Sequence, residues 1–410
     1  MADAHMDLQD STMRSVLAGQ SPDAAAVQGL PLGSRLSVTT GAAGFMALEA
    51  QWLELEASCQ SSRAVFQTFG WLSSWIEINK AFLPPDAIQI VTGFRNDRLV
   101  FAWPLMKAKA GPFTVLRWLS EPKSQYGDVL LASGECPNAW MGAAMELIRR
   151  VPGVDAIRLR HVRSDAAAAL FLKQAFRDAR LHEQASCLDL TRFADEAAYD
   201  ARYTPAQRKR RKKIRKALED GLGPLSFTIL KPGPATDAAI DAAIAEKCLW
   251  IDARGRQNRV LSCPTLGSFM KHLARNRSAG TELVLSALSA GGREVSWEIG
   301  LRHNGTHFAF ITSHVNALTD YSPARLHMDL SQRQALKDGM KAFDLMHPND
   351  VHKESWSSGK TEVSDYYLPL SAKGAAYGAI YLERLRPRLR DAYYRMPPGL
   401  LKLLKPIIRH

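Results

Sequence analysis

Apolar side chains recur at helical spacing over residues 46–58, and Phe69, Leu72, Trp75, Ile76 and Phe82 continue that period through 67–81, so two helices open the first ordered stretch. Two β-rich runs follow over 87–106 around Asn96-Asp97, a turn pair, and predict an antiparallel hairpin. Strands at 126–131, 156–159 and 186–190 then alternate with helices at 140–149 and 166–179, and the half closes near Thr191. The order repeats: helices at 235–251 and 265–276, strands at 282–288, 294–301 and 306–314, a helix at 323–339 and a short strand at 342–345. Two helices, a meander, a helix and a strand, given twice without obvious identity, predict a tandem α+β architecture. The halves are placed at 40–192 and 193–372, between a leader (1–36) and a basic helical tail (373–410).

Composition narrows the class. A chain of 410 residues buries more than one sizeable core, and 46% hydrophobic with 23% charged residues is the balance of a globular protein. No stretch approaches the roughly 18 uninterrupted apolar residues of a membrane helix. The leader is rich in Ala, Ser, Asp and Gly and lacks the apolar centre of a secretory signal, so it is read as disordered. Five cysteines, an odd number with no C-x-x-C pair, argue for a reducing, cytoplasmic setting without a disulfide framework or a metal site.

The net charge of +12 is clustered. Residues 208–216 (RKRRKKIRK) hold eight bases and no acid, and 383–410 hold eight bases against Glu383 and Asp391, which leaves the rest of the chain at −2. Thr204-Pro205 marks a helix start and Gly221 its end, so the basic run sits on a helix spanning about 205–220. Its bases crowd the positive end of the helix dipole while Glu219 and Asp220 sit at the negative end, an arrangement that costs helix stability. Three explanations compete: a nucleic-acid patch, which lacks interleaved aromatics; attraction of an anionic ligand; and a solvated face. The tail segment GLLKLLKPIIRH is too short to hold a membrane alone; it either touches an anionic inner-membrane surface weakly or packs on the second half.

The best-marked local signal is Tyr321 to Leu345. Ser322 is a preferred N-cap, Pro323 a preferred first helical residue, and the helix follows directly on a strand ending near His314. Free amides and the dipole there suit a phosphate, with Arg325 adding a charge-assisted hydrogen bond.

Phe66-Gln67 with Trp71 and Trp75, Pro104-Leu105, Tyr126-Gly127-Asp128, the basic helix, Ser322-Pro323, Phe343-Asp344, Lys353 and Trp356 stand in an order and spacing that resembles the CelD-like family of GNAT-fold acetyltransferases, named for cellulose biosynthesis and distantly similar to the FemAB peptidyltransferases. The resemblance implies a double GNAT-like acyl-CoA N-acyltransferase fold, with mixed central sheets flanked by helices. It implies transfer of an acyl group from acetyl-CoA or another acyl-CoA to an amine or hydroxyl of a sugar, polysaccharide or precursor, with the cofactor phosphates at Ser322, Pro323, Ala324 and Arg325. Lys353 is thereby placed in the acceptor site with Asp344 orienting it, and Trp356, Tyr126, Asp128, Arg208 and Arg211 are placed toward the substrate. The sequence departs from the family at Ala324, where Gly is typical, and at His347-Pro348-Asn349 and His352, which stand where an Arg-Gly-Asp-like turn and a Tyr precede the Lys.

Acyl transfer to an amine requires a base. Glu298 alternates with the apolar set of its strand and is read as facing away from it, a base or a solvent-facing carboxylate. His307 and His314 on the next strand titrate in the useful range. An aminoacyl-tRNA-dependent transferase of the FemAB kind and a non-catalytic anion-binding scaffold are the alternatives.

Overall fold

The computed structural model describes residues 29–59, 61, 64–276 and 280–396. The first half runs β1 (Ser34–Thr40), α1 (Gly41–Met46), α2 (Glu49–Ser58), α3 (Phe69–Asn79), β2 (Ile88–Arg95), β3 (Arg98–Ala110), β4 (Phe113–Trp118), β5 (Leu130–Leu131), α4 (Pro137–Arg149), β6 (Ala156–Arg163), α5 (Ala169–Ala175) and β7 (Arg177–Asp189). After α6 (Glu196–Ala201) and the basic helix α7 (Pro205–Leu222) come β8 (Leu225–Leu230), α8 (Pro234–Ala253), α9 (Leu266–Arg275), β9 (Glu282–Ala290), β10 (Arg293–His303), β11 (Thr306–His314), α10 (Pro323–Lys337), β12 (Ala342–Asp344), α11 (Val351–Glu354) and β13 (Gly359–Pro369). Helix α12 (Ala372–Ala376), a π-helical segment (Tyr377–Leu385) and α13 (Arg386–Arg395) follow.

The repeated element order is present, and Asn96 and Asp97 both take positive φ (49° and 63°), the backbone of a tight hairpin turn. The expected two sheets are one. The strands run β1-β2-β3-β4-β6-β13-β7-β12-β11-β10-β9-β8, with β5 beside β3. Strand β13, from the end of the second half, lies antiparallel between β6 and β7 of the first. Strand β7 also pairs with β12, so it is the seam where the halves join.

That seam explains where the pattern misled. A helix is expected over 166–179, but α5 stops at Ala175 because Arg177 onward is recruited as a long strand against β13. Of the strand expected over 126–131 only Leu130–Leu131 pairs. Residues 34–36 of the expected leader belong to β1, with Leu36 buried, and residues 1–28 lie outside the described ones. The edge strands β1 and β8, the mid-sheet β4 and the inserted β13 carried no period strong enough to be read.

The core is continuous across the seam. Phe66, on the first half, sits 6.0 Å from Tyr126 and 6.1 Å from Phe310 of β11, and Trp71 meets Phe269 of α9 edge to face at 4.8 Å. Tyr377 and Leu382 pack with Val115 and Tyr367, which docks the start of the tail on the sheet. The apolar end of the tail, 399–410, lies outside the described residues. No helix among the described residues is long and apolar enough to cross a membrane.

Candidate functional site

Strands β11 and β12 run parallel for three residue pairs, Thr306, His307 and Phe308 against Ala342, Phe343 and Asp344, and then part. From Ala309 to His314, β11 keeps β10 on one side and has no described strand on the other. The register skips Phe310, a bulge that bends β11 where the strands separate. The split is a cavity of about 600 Å³, walled by β10 and β11, by α8, by the turn after β12 and by α11. Trp250, Trp297 and Trp356 line it among polar groups.

Glu298 lies in this wall and is 1% exposed. The alternation of β10 places it opposite the apolar set, as read from sequence, but that face is not solvent: α8 packs on β10 as well as α10, so both faces of the strand are covered. Its Oε1 is 2.8 Å from His307 Nε2, and its Oε2 has no hydrogen-bond partner. Arg302 Nε donates to His307 Nδ1 at 3.4 Å, which leaves the imidazole proton on Nε2, aimed at the carboxylate. His307 stacks on Phe343, ring centroids 4.7 Å apart, so its plane is fixed. Gly300 makes room for it, since a Cβ there would stand 2.6 Å from the imidazole. A buried carboxylate with one oriented and one open oxygen is suited to accept a proton.

Lys353, on α11, also lines the cavity. Its Nζ donates to the carbonyls of Pro348 (2.8 Å) and Met346 (3.1 Å), which leaves one N–H to give, and burial lowers its pKa. Lys247 of α8 lies on the same wall, its pKa lowered to about 8 by burial and then by the neighbouring charges of Lys353 and Arg254. His314 stands at the rim with Nε2 3.2 Å from the Thr319 hydroxyl; burial and Lys247 lower its pKa. At the start of α10, Ser322, Ala324 and Arg325 line the cavity, and Pro323 is buried beside them. Ser322 does not cap the helix: it sits in the left-handed region at φ 55° and its side chain accepts no hydrogen bond there.

Three expected residues have other tasks. Asp344 is fully buried and does not touch Lys353; its carboxylate accepts from Arg163 (2.6 Å), the Tyr126 hydroxyl (2.9 Å) and the Met346 amide (2.7 Å). Tyr126 is consumed in that bond. Asp128 accepts the amides of Val129, Ala167 and Ala168, fixing the entry to α5, and burial raises its pKa to about 6. Neither Tyr126 nor Asp128 reaches the cavity. Arg208 and Arg211 face a second groove, between α7 and α10, while Trp356 and Arg325 line both spaces.

Lys247 and Arg302 were not found from sequence. A lysine inside an amphipathic helix gives no signal, but Asn304-Gly305 between β10 and β11 is a hairpin turn whose register sets Arg302 opposite His307. His161, Glu183 and His347 come close enough to hold a metal ion, yet His347 Nδ1 already engages Glu183 at 2.8 Å and Arg160 stands 3.1 Å from His161, with Arg386 and Arg390 near. Those cations oppose another.

Residues 206–354 match the model of the acetyltransferase (GNAT) domain. Among solved structures the chain is similar to FemX, with 10% identity, 75% of this chain and 93% of that chain covered and a TM-score of 0.51. It is also similar to L-PGS from Bacillus licheniformis (12% identity, 77% and 96% covered, TM-score 0.47) and to a tandem GNAT protein from the clavulanic acid biosynthesis pathway (13%, 82% and 99%, TM-score 0.43). No curated protein sequence matches the chain. At 10% identity the likeness to FemX is one of fold, and with the domain match it makes the architecture GNAT-like, a mixed sheet flanked by helices whose split between β11 and β12 falls within the acetyltransferase (GNAT) segment.

Proposed function

We propose that the protein is an acyltransferase that moves an acyl group, acetyl in the simplest case, from acyl-CoA to an amine or hydroxyl of a sugar, polysaccharide or its precursor. The observation that carries the reading is Glu298, buried at the strand split with one oxygen held by His307 and the other without a hydrogen-bond partner. An acceptor ammonium or hydroxyl must lose a proton as it is acylated, and Glu298 Oε2 receives it, with His307 holding the carboxylate's orientation; the thioester C–S bond breaks as the new bond to nitrogen or oxygen forms, and CoA leaves as a thiolate that takes up a proton to become the thiol. The amides and side chains at the start of α10, with Arg325, suit the phosphates of acyl-CoA, which supplies the activated acyl group. Lys353 has one N–H left for an acceptor's oxygen, and the three tryptophans give the wall apolar faces against which a sugar ring can rest.

Titration calorimetry with acetyl-CoA tests the donor. Wild type binds it, and Ala324→Glu, which sets a bulky carboxylate at the start of α10, weakens binding by about tenfold or more; equal affinity of the two proteins removes the phosphates from α10. A second reading, aminoacyl transfer from charged tRNA, is favoured by the likeness to FemX together with the basic α7. Transfer from an aminoacyl-tRNA with no response to acetyl-CoA selects it.

A further inference from the structure

Helices α7 and α10 meet through Leu218, Leu326 and Ile214, and above that contact lies a second cavity of about 600 Å³. Eight cationic and three acidic side chains line it, and they are unevenly placed. Toward the end of α10 the charges cancel: Arg333 pairs with Asp329 and Glu196 (both 3.0 Å) and with Asp200, and Lys337 with Glu196 at 2.7 Å. Toward its start they do not. Arg210, Lys212 and Arg325 have no acidic partner among the described residues, Arg210, Arg211 and Arg325 line the same wall, and burial, then the charges of Arg210 and Arg211, lower the pKa of Arg325. Arg211 itself is immobilised, paired with Asp329 and held 3.5 Å from the Tyr203 ring centroid and 4.1 Å from that of Trp356.

We infer that this end of the α7–α10 groove binds a phosphate or diphosphate group carried by one of the protein's substrates. Guanidiniums that repel one another around open space gain most when an anion enters, and paired N–H forks suit phosphate oxygens. The groove does not suit a long polyanion, because a phosphate chain running along α10 would meet Glu196, Asp200 and Asp329. Arg325 and Trp356 line both the groove and the β11–β12 cleft, so a phosphate held here belongs to a molecule whose reactive end can lie beside Glu298. That last step rests on the proposed acyl transfer; the phosphate site does not. Two sources share the chemistry: the 3′-phosphate or diphosphate of CoA, and a diphosphate-linked sugar acceptor.

The test compares Arg210→Gln/Lys212→Gln, two bases that line the groove alone, with Lys209→Gln/Lys213→Gln, and both variants keep Arg325 at the start of α10. The second variant removes the same charge from bases of α7 that do not line the groove. Calorimetric titration with inorganic pyrophosphate is expected to show wild-type binding weakened about tenfold or more by the first variant and changed within about twofold by the second, with thermal melts checking that both are folded. Equal losses in the two variants, or no pyrophosphate binding by wild type, overturn the site. CoA, 3′-dephospho-CoA and UDP-glucose then name the source. If the first variant weakens CoA but not dephospho-CoA, the 3′-phosphate of CoA is bound; if it weakens both equally, the diphosphate of CoA is bound. If it weakens UDP-glucose alone, the acceptor carries the phosphate. If it weakens none of them, the ligand is not a substrate and that part of the inference falls. A single-stranded RNA that binds wild type and is weakened equally by both variants would mark a diffuse polyanion surface instead. Glu298→Gln keeps pyrophosphate binding if acyl transfer and the phosphate site are separate, so failure of one reading is told from failure of the other.

Discussion

Glu298 is both buried and half-partnered, and each property limits what a substitution does. Gln at 298 keeps the shape and still accepts from His307, but it takes no proton; transfer is expected to fall by about 10²–10⁴ with little change in melting temperature. Activity within a few-fold of wild type would take the base role from Glu298. At Arg163 the effect belongs to stability. Its guanidinium is 1% exposed and neutralises the fully buried Asp344, so Arg163→Ala leaves an unpaired buried carboxylate and is expected to cost about 3–5 kcal/mol by denaturant unfolding. Among candidates named from sequence, Glu298, His314, Lys353, Trp356, Ser322, Ala324 and Arg325 line one cavity, whereas Asp344, Tyr126 and Asp128 are bound into the frame. Residue type and order brought both groups forward. Only burial and partners separate them.

Two helix starts look alike in sequence and differ as elements. Thr204-Pro205 begins α7 with a full capping box, the Thr204 hydroxyl accepting the Gln207 amide and the Gln207 side chain accepting the Thr204 amide. Ser322-Pro323 begins α10 with no cap, because the preceding 3₁₀ turn delivers the chain in a left-handed conformation that aims the hydroxyl elsewhere. Since α7 carries its bases at the wrong end of its dipole, it depends on its cap: Thr204→Ala is expected to cost about 1 kcal/mol and to speed amide exchange in the first turn of α7. Unchanged exchange there would mean that packing on α10 alone holds the helix.

For the whole molecule, buried titrating groups set the pH range of stability. Burial raises the pKa of Glu56 to about 8 against an ordinary 4.5, despite its hydrogen bond from the Phe69 amide, so the fold holds a proton that the unfolded chain releases. Stability therefore falls as pH rises from about 4.5 to 8. Burial lowers the pKa of His327 to about 4 from 6.5, so stability also falls as pH drops through that window. Glu56→Gln is expected to gain about 2–4 kcal/mol at pH 8 and little at pH 5, read from unfolding curves at the two values. An equal gain at both would place the effect outside ionisation.

Periods of 3.6 and 2, the Asn-Asp turn at 96–97, the capped basic helix and the charge clustering were determined by sequence alone, because each is a local energy written in neighbouring residues. The joining of the halves was decided by tertiary structure. Strand β13 has no strong pattern of its own and becomes a strand by filling the gap between β6 and β7. The parting of β11 from β12 after three residue pairs is likewise a tertiary outcome, and helices on both faces of β10 bury a glutamate that alternation alone would leave facing solvent. Such choices depend on which distant surfaces meet, and burial acts only once they have.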